Sequence, residues 1–208
     1  MHMGASGKKE RAKTMSSTLS FKPLTPDLWE DLVDLFGPDR GANSGCWCMW
    51  WRLPRAEWNK KDRSGRKRAF KKLVMQGPPP GVLAFDGALA VGWCAIGPRD
   101  TLPALQRSRV AKAADPSDEA WFINCFYIRS GYRKAGLMRP LAAAAIELAR
   151  ARGAAIVEAC PIDTQRELQW GEGFVGLASV FQSLGFCEVA RRTPQRPLLR
   201  LVLASAHA

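Results

Sequence analysis

The chain has 208 residues, 47% of them hydrophobic and 24% charged. That is the balance of a folded protein, in a chain able to bury roughly 70% of its unfolded surface without disulfide or metal staples. Its net charge is +12, which suits an anionic ligand, a nucleic acid or only a soluble surface. The two histidines, His2 and His207, lie at the extreme ends, which speaks against Ser-His-Asp and Cys-His catalysis and against most catalytic zinc sites.

Residues 1–18 are small, polar and basic without periodicity, and read as a disordered leader before a single domain over 19–208. No apolar run approaches the roughly 20 residues needed to span a bilayer. The first residues carry charges where a signal peptide needs an apolar core. The expectation is a cytoplasmic protein, monomer or homodimer, with no membrane partner.

Leu19 to Lys22 reads as a strand. Thr25-Pro26-Asp27 opens a helix, with Thr25 as cap, whose apolar stripe is Leu28, Leu32 and Leu35 and which Gly37-Pro38 stops. An aromatic cluster follows, Cys46-Trp47-Cys48-Met49-Trp50-Trp51-Arg52, with Trp58 close behind. Ser64 is placed to cap a basic helix to about Gln76, and Gly77 to Gly81 breaks the chain. Val82–Phe85 and Ala88–Ile96 form a hairpin around Asp86-Gly87. Residues 98–118 are a polar connection. Trp121–Ile128 is a near-continuous apolar strand of the buried kind. A loop from Ser130 to Arg133 leads to a helix ending near Arg152, with Leu137, Leu141, Ala145 and Leu148 on one face and Gly153 closing it. Ala155–Cys160 is a second buried strand. A helix over Phe174–Leu184 and strands over Phe186–Ala190 and Leu198–Leu203 complete the chain. There is no internal repeat.

The six cysteines are Cys46, Cys48, Cys94, Cys125, Cys160 and Cys187. Without an export signal they are expected to be reduced. One C-x-C with no second pair is no zinc signature, so no metal is expected and the thiols read as small buried hydrophobes.

The stretch that decides the fold runs strand, basic loop, helix, strand over Trp121 to Pro161. Its loop reads Gly131-Tyr132-Arg133-Lys134-Ala135-Gly136-Leu137-Met138-Arg139. A glycine-bearing loop between a strand and a helix start presents backbone N–H groups and the helix dipole to an anion, and Arg133, Lys134 and Arg139 add charge.

This stretch resembles the GNAT superfamily of acetyl-CoA-dependent acetyltransferases. The family's signature, Gln/Arg-x-x-Gly-x-Gly/Ala after a strand, is matched by Arg133-Lys134-Ala135-Gly136-Leu137-Met138. A second landmark, a helix ending in Gly-Phe before a strand, is matched by Val180 to Phe186. Two positions depart from the pattern. Met138 stands where the family has a small residue, and Phe181 where many members have a tyrosine that protonates the departing thiolate. The resemblance implies an α/β (α+β) fold: a central mixed sheet of six to seven strands, splayed between the fourth and fifth and flanked by helices. It also implies acetyl-CoA as co-substrate. The diphosphate would lie on Arg133, Lys134, Ala135, Gly136, Leu137, Met138 and Arg139, and the pantetheine along Phe126, Tyr127 and Ile128. The reaction implied is N-acetyl transfer to a small-molecule or peptide amine. The alternatives are a CoA-binding protein without efficient transfer, or an enzyme with an RNA-borne or ribosomal acceptor.

Three sets of residues are candidates for the rest of the site. Glu158 lies inside an apolar strand, where burial would raise its pKa toward that of a useful base; the alternative is a structural ion pair with arginine. Asp163 and Glu119 are weaker candidates. Asn124 interrupts the other buried strand, as a holder of water or acceptor or as a group satisfied by backbone. Trp47, Trp50 and Trp51 lie in the region that shapes the acceptor site in this family, as pocket wall or as loop packing. The segment Lys60 to Lys72 carries a net +7. Positions 60, 63, 67 and 71 are spaced to share one helix face, either solvated or facing nucleic acid or an acidic acceptor.

Overall fold

The computed structural model describes residues 19–37, 41–115, 120–166, 168 and 172–203. The expected leader over 1–18 and the candidate base Glu119 lie outside the described residues.

Seven strands form one mixed sheet: β1 (Leu19–Pro23), β2 (Gly81–Asp86), β3 (Leu89–Pro98), β4 (Ala120–Ile128), β5 (Ile156–Ala159), β6 (Cys187–Arg191) and β7 (Pro197–Val202). Their order is β1-β2-β3-β4-β5-β7-β6. The helices are α1 (Trp29–Phe36), α2 (Arg55–Lys60), α3 (Arg63–Gln76), α4 (Met138–Arg150) and α5 (Ala178–Gln182). Among the described strands only β4 and β5 pair in parallel, and α4 makes the crossover between them. A parallel pair needs such a long connection, which is why the apolar 3.6-residue stripe of α4 follows β4.

The two sheet faces have different covers. On one, α4 and α5 pack against Val91, Cys94, Ile96, Trp121, Ile123, Phe126, Val157 and Leu199. The fit of α4 depends on Gly92: a Cβ there would come within 2.6 Å of the Leu141 side chain. On the other face, α1 and α3 cover Leu83, Phe85, Trp93, Ala95 and Cys125. Beside them the segment carrying Leu102, Leu105 and Ala111 covers Phe122, Cys160 and Leu198.

Several elements differ locally from their sequence reading. The helix opened by Pro26 begins as a 3-10 turn over Pro26–Leu28 before α1. The cap of α3 is Asp62, whose Oδ1 accepts the Gly65 N–H at 2.7 Å. Ser64 instead donates its hydroxyl to the Asp62 carboxylate. Because α2 ends at Lys60 and α3 starts at Arg63, position 60 does not share a helix face with 63, 67 and 71. The helix expected over Phe174–Leu184 is a 3-10 turn at Gly173–Val175 followed by α5. The backbone between them bridges to Ile162 instead: Ile162 N–H donates to the Gly176 carbonyl, and Ala178 N–H to the Ile162 carbonyl.

Candidate active site

The sheet opens at one place. The parallel pairing of β4 and β5 runs from Ala120–Ile156 to Ile123–Ala159 and then stops. β4 continues to Ile128, paired on its other side with β3. Its register on β3 slips where the strands part: Ile96 faces Ile123 and Ala95 faces Cys125, so Asn124 has no partner residue. Such a bulge bends the strand and re-aims a side chain. Asn124 is 2% exposed, and neither its amide oxygen nor its amide nitrogen has a hydrogen-bond partner. An unpaired buried amide costs about 1–3 kcal/mol. An amide left so at a bulge, at the mouth of a splay, has the chemistry of a binding group.

Four residues further on, β4 enters the basic loop. Tyr132 is buried and its hydroxyl donates to Asp86 at 2.9 Å, holding the loop against the end of β2. Arg133 donates its Nε to the Ile128 carbonyl at 2.9 Å, and Arg139 donates its Nε to the Ser183 hydroxyl at 3.2 Å. Both side chains are otherwise exposed. Lys134 and Gly136 have φ of +60° and +78°, a conformation in which successive backbone N–H groups converge on a concavity. A Cβ on Gly136 would meet nothing within 4 Å, so the backbone there faces open space. The side chain of Met138, the first residue of α4, packs against the α4-side core. This answers the departure in the signature, since the bulky residue turns inward and leaves the loop backbone accessible. Pro140 falls in the first turn of α4, where its missing N–H costs little.

Glu158 is not available as a base. It is fully buried on β5, facing away from α4, with Phe122 and Arg200 as its strand neighbours. Oε2 accepts from Arg99 Nη1 at 2.5 Å, and Oε1 accepts from Arg200 Nε and Nη2 at 3.0 and 2.8 Å. Both oxygens are spent on guanidinium groups, and none faces the splay. Arg99 also donates to the Ala111 carbonyl. Burial pushes Arg99 below its usual range, and Glu158 pulls it back up. The carboxylate therefore pins the segment 99–111 to the sheet. Asp163 is likewise engaged, with Arg191 at 2.8 Å.

The aromatic cluster divides in two. Trp47 is a core residue rather than a pocket wall: 1% exposed, it stacks on Trp29 at 6.0 Å and packs on Phe36 at 5.5 Å. Trp50, Trp51 and Trp58 line an open groove of about 520 Å³, with Arg55, Pro103 and Arg107 on its walls. Phe181, where a tyrosine was the family's expectation, is fully buried between Phe126 and Phe186. Sequence reasoning missed Arg99 and Arg200, whose roles depend on strand pairing, and Arg55 and Arg107, which come together only in the groove. Among the described residues no group of three or more His, Cys, Asp or Glu is arranged to hold a metal, and no helix is long and apolar enough to cross a membrane.

A mixed seven-stranded sheet that parts between β4 and β5, with a basic glycine-bearing loop leading from β4 into the crossover helix, defines an acetyltransferase fold. The chain belongs to the Acetyltransferase (GNAT) family, whose model matches residues 47–168. Solved structures share the fold at low identity. One is yncA from Salmonella typhimurium, a candidate acetyltransferase solved with its cofactor acetyl-CoA (14% identity, TM-score 0.52, 91% of this chain and 96% of that one). Another is a candidate acetyltransferase from Acinetobacter baylyi (16%, TM-score 0.54, 92% and 97%). A third, of the same family, comes from Desulfovibrio desulfuricans (14%, TM-score 0.51, 90% and 100%). No curated protein matches the sequence.

Proposed function

We propose that this protein transfers an acetyl group from acetyl-CoA to the amine of an acceptor. The observation that carries the reading is the splay itself: β4 and β5 part at Asn124, whose buried amide has no partner. The residues present fit acetyl-CoA. The positive-φ loop with Arg133 and Arg139 suits a diphosphate. The stretch Phe126–Ile128, beyond the reach of β5, suits an extended pantetheine.

Acetyl-CoA, when bound, supplies the activated acetyl thioester. Asn124 holds and orients rather than moves a proton. Its carbonyl accepts an N–H from the acceptor or a water, and its amide N–H donates to an oxygen in the splay. The acceptor amine must be neutral to attack. With Glu158 and Asp163 engaged by arginines, its proton leaves to water. No side chain at position 181 donates to a departing thiolate, which a thiol pKa of about 8.5 makes tolerable.

Calorimetry with acetyl-CoA tests the cofactor site. Gly136→Glu puts a carboxylate where the diphosphate would lie and should lower affinity about 100-fold or more, the scale of opposing close charges in a desolvated site. Unchanged affinity would remove the assignment. Release of CoA with a panel of amines tests transfer. The second reading, a CoA-binding protein without efficient transfer, rests on Phe181, and binding without acceptor-dependent CoA release would select it.

A further inference from the structure

The groove beside the aromatic loop has a charge that the sequence did not reveal. Its floor is Trp50, 41% exposed, set edge-to-face on Trp58 with ring centroids 5.0 Å apart. A tryptophan floor ordinarily welcomes a cation. Here both rings already carry one: the Arg55 guanidinium lies 4.9 Å from the Trp50 ring, and that of Arg66 lies 3.7 Å from the Trp58 ring. Among the described residues the walls add no Asp or Glu. Arg55 and Arg107 make no ion pair among the described residues. At the Arg107 end the groove runs into a second hollow of about 420 Å³, lined by Arg107, Arg109, Lys112 and Arg192, again with no carboxylate among the described residues. Arg192 spends its guanidinium on the carbonyls of Val110, Lys112 and Ala113. Arg107, Arg109 and Lys112 are exposed and make no ion pair among the described residues. Among the described residues, a ligand seated here meets an apolar floor and charged groups that are all positive.

The groove sits beside the cluster that covers Phe122 of β4. Its two walls are tied by the Ala104 N–H donating to the Trp51 carbonyl at 3.2 Å. Trp51 packs against the cluster that contains Phe122, two residues before Asn124 on β4. The groove therefore lies on the face opposite α4. Its volume falls within the roughly 300–1,000 Å³ of small-molecule sites.

We propose that this groove is the acceptor site, and that the acceptor is a small amine whose planar apolar body carries an anionic group. The apolar body lies on Trp50 and Trp58, and the anion is taken by Arg55 and Arg107. The proposal rests on the acetyltransferase reading above and narrows its acceptor class.

The test uses three ring-matched or ring-free probes that cannot all bind for the same reason: indole-3-propionate, tryptamine and propionate, each titrated by calorimetry. Indole-3-propionate should bind about tenfold or more tightly than either of the others, the scale of one charge-assisted contact. Arg55→Glu combined with Arg107→Glu should abolish that preference. Lys71→Glu combined with Lys72→Glu makes the same change in net charge outside the groove and should leave it intact. In the CoA-release assay, tryptophan should exceed tryptamine in kcat/KM by a similar factor. Equal binding of the anionic and cationic indoles, equal binding of propionate, a preference that survives the groove variant, or one lost equally in the control variant would each overturn the proposal. Acetyl-CoA affinity, measured in the same samples, separates the two readings. Loss of the probe preference with acetyl-CoA bound normally defeats the acceptor class alone. Failure to bind acetyl-CoA in the wild type defeats the acetyltransferase reading.

Discussion

Glu158 and Asn124 sit on neighbouring strands, both buried and both polar in otherwise apolar runs, yet they belong to opposite kinds of site. Glu158 lies where β5 is paired on both edges, and two arginines satisfy both of its oxygens. Asn124 lies where β4 has lost β5 on one side and its register with β3 on the other, and nothing satisfies it. A charge that is fully paired inside a sheet is architecture. A neutral amide left without partners at an opening has both its donor and its acceptor capacity unused. A buried polar residue is assigned by its partners, not by its burial.

The largest effect that separates the two residues is on stability. Glu158→Gln leaves Arg99 and Arg200 facing a neutral group, and breaking a buried pair from one side costs about 3–5 kcal/mol. Urea unfolding should show that loss. The segment 99–111 should loosen with it, since Arg99 also holds the Ala111 carbonyl. A Glu158→Gln protein of normal stability with a collapsed turnover and a shifted pH profile would return Glu158 to the role of base. Asn124→Ala should do the reverse. Removing an unsatisfied amide leaves stability within about 1 kcal/mol of wild type or raises it. Turnover should fall about tenfold or more, the lower end of losing one oriented polar group in an active site. Steady-state kinetics beside the unfolding curve measures both. If Asn124→Ala destabilises strongly instead, its amide is part of the core.

The two basic regions extend the same contrast at smaller scale. In the β4–α4 loop the cations are presented on a backbone turned outward. In α3 they lie on aromatic rings, Lys67 5.0 Å from the Trp47 ring and Lys71 5.6 Å from the Trp29 ring. Lys67→Glu with Lys71→Glu should cost about 1–2 kcal/mol of stability, from two cation–π contacts of roughly 0.5–1 kcal/mol each. Acetyl-CoA affinity should stay within about threefold, as for charges outside the cofactor site. A tenfold loss in calorimetry would join α3 to the cofactor site.

The smallest effect concerns the cysteines, of which Cys125 follows Asn124 on β4. Cys46, Cys48, Cys94 and Cys125 all have thiols raised above their usual range: by hydrogen bonding to Cys48 and then burial for Cys46, by hydrogen bonding to Cys125 and burial for Cys48, by burial for Cys94, and for Cys125, against a hydrogen bond with Cys48 that lowers it, by burial and the neighbouring Cys46 and Cys94. Burial raises Cys160 as well. A raised thiol holds little of the reactive thiolate near neutral pH. Cys187 is exposed and Cys46 half-buried, while the other four are buried. A thiol reagent at pH 8 should label Cys187 quickly and the four buried cysteines only on unfolding. Fast labelling of Cys125 would show that the core around it opens.

The order of strands and of the helices other than α2, the crossover helix and the basic loop could be read from the sequence because each depends on local patterning. Apolar runs, a 3.6-residue stripe and a glycine between strand and helix act through neighbours in the chain. So did the oddity of Asn124 and Glu158, since a polar residue in an apolar run stands out on its own. Their fates did not. Glu158 meets Arg99 and Arg200 across 59 and 42 residues, and those pairings exist only once β3, β5 and β7 are in register. Trp47 and Trp50 are three residues apart, with nothing local to distinguish them. Trp47, at a positive φ of 46°, turns into the core, while Trp50 stays on the groove. The charge of that groove joins Arg55 to Arg107 from segments 52 positions apart in sequence. The chain alone thus determines what each segment prefers to be, because those preferences are short-ranged. Which polar group is paired, which ring is buried and which charges face one hollow are set by packing between distant segments, and only the tertiary structure decides them.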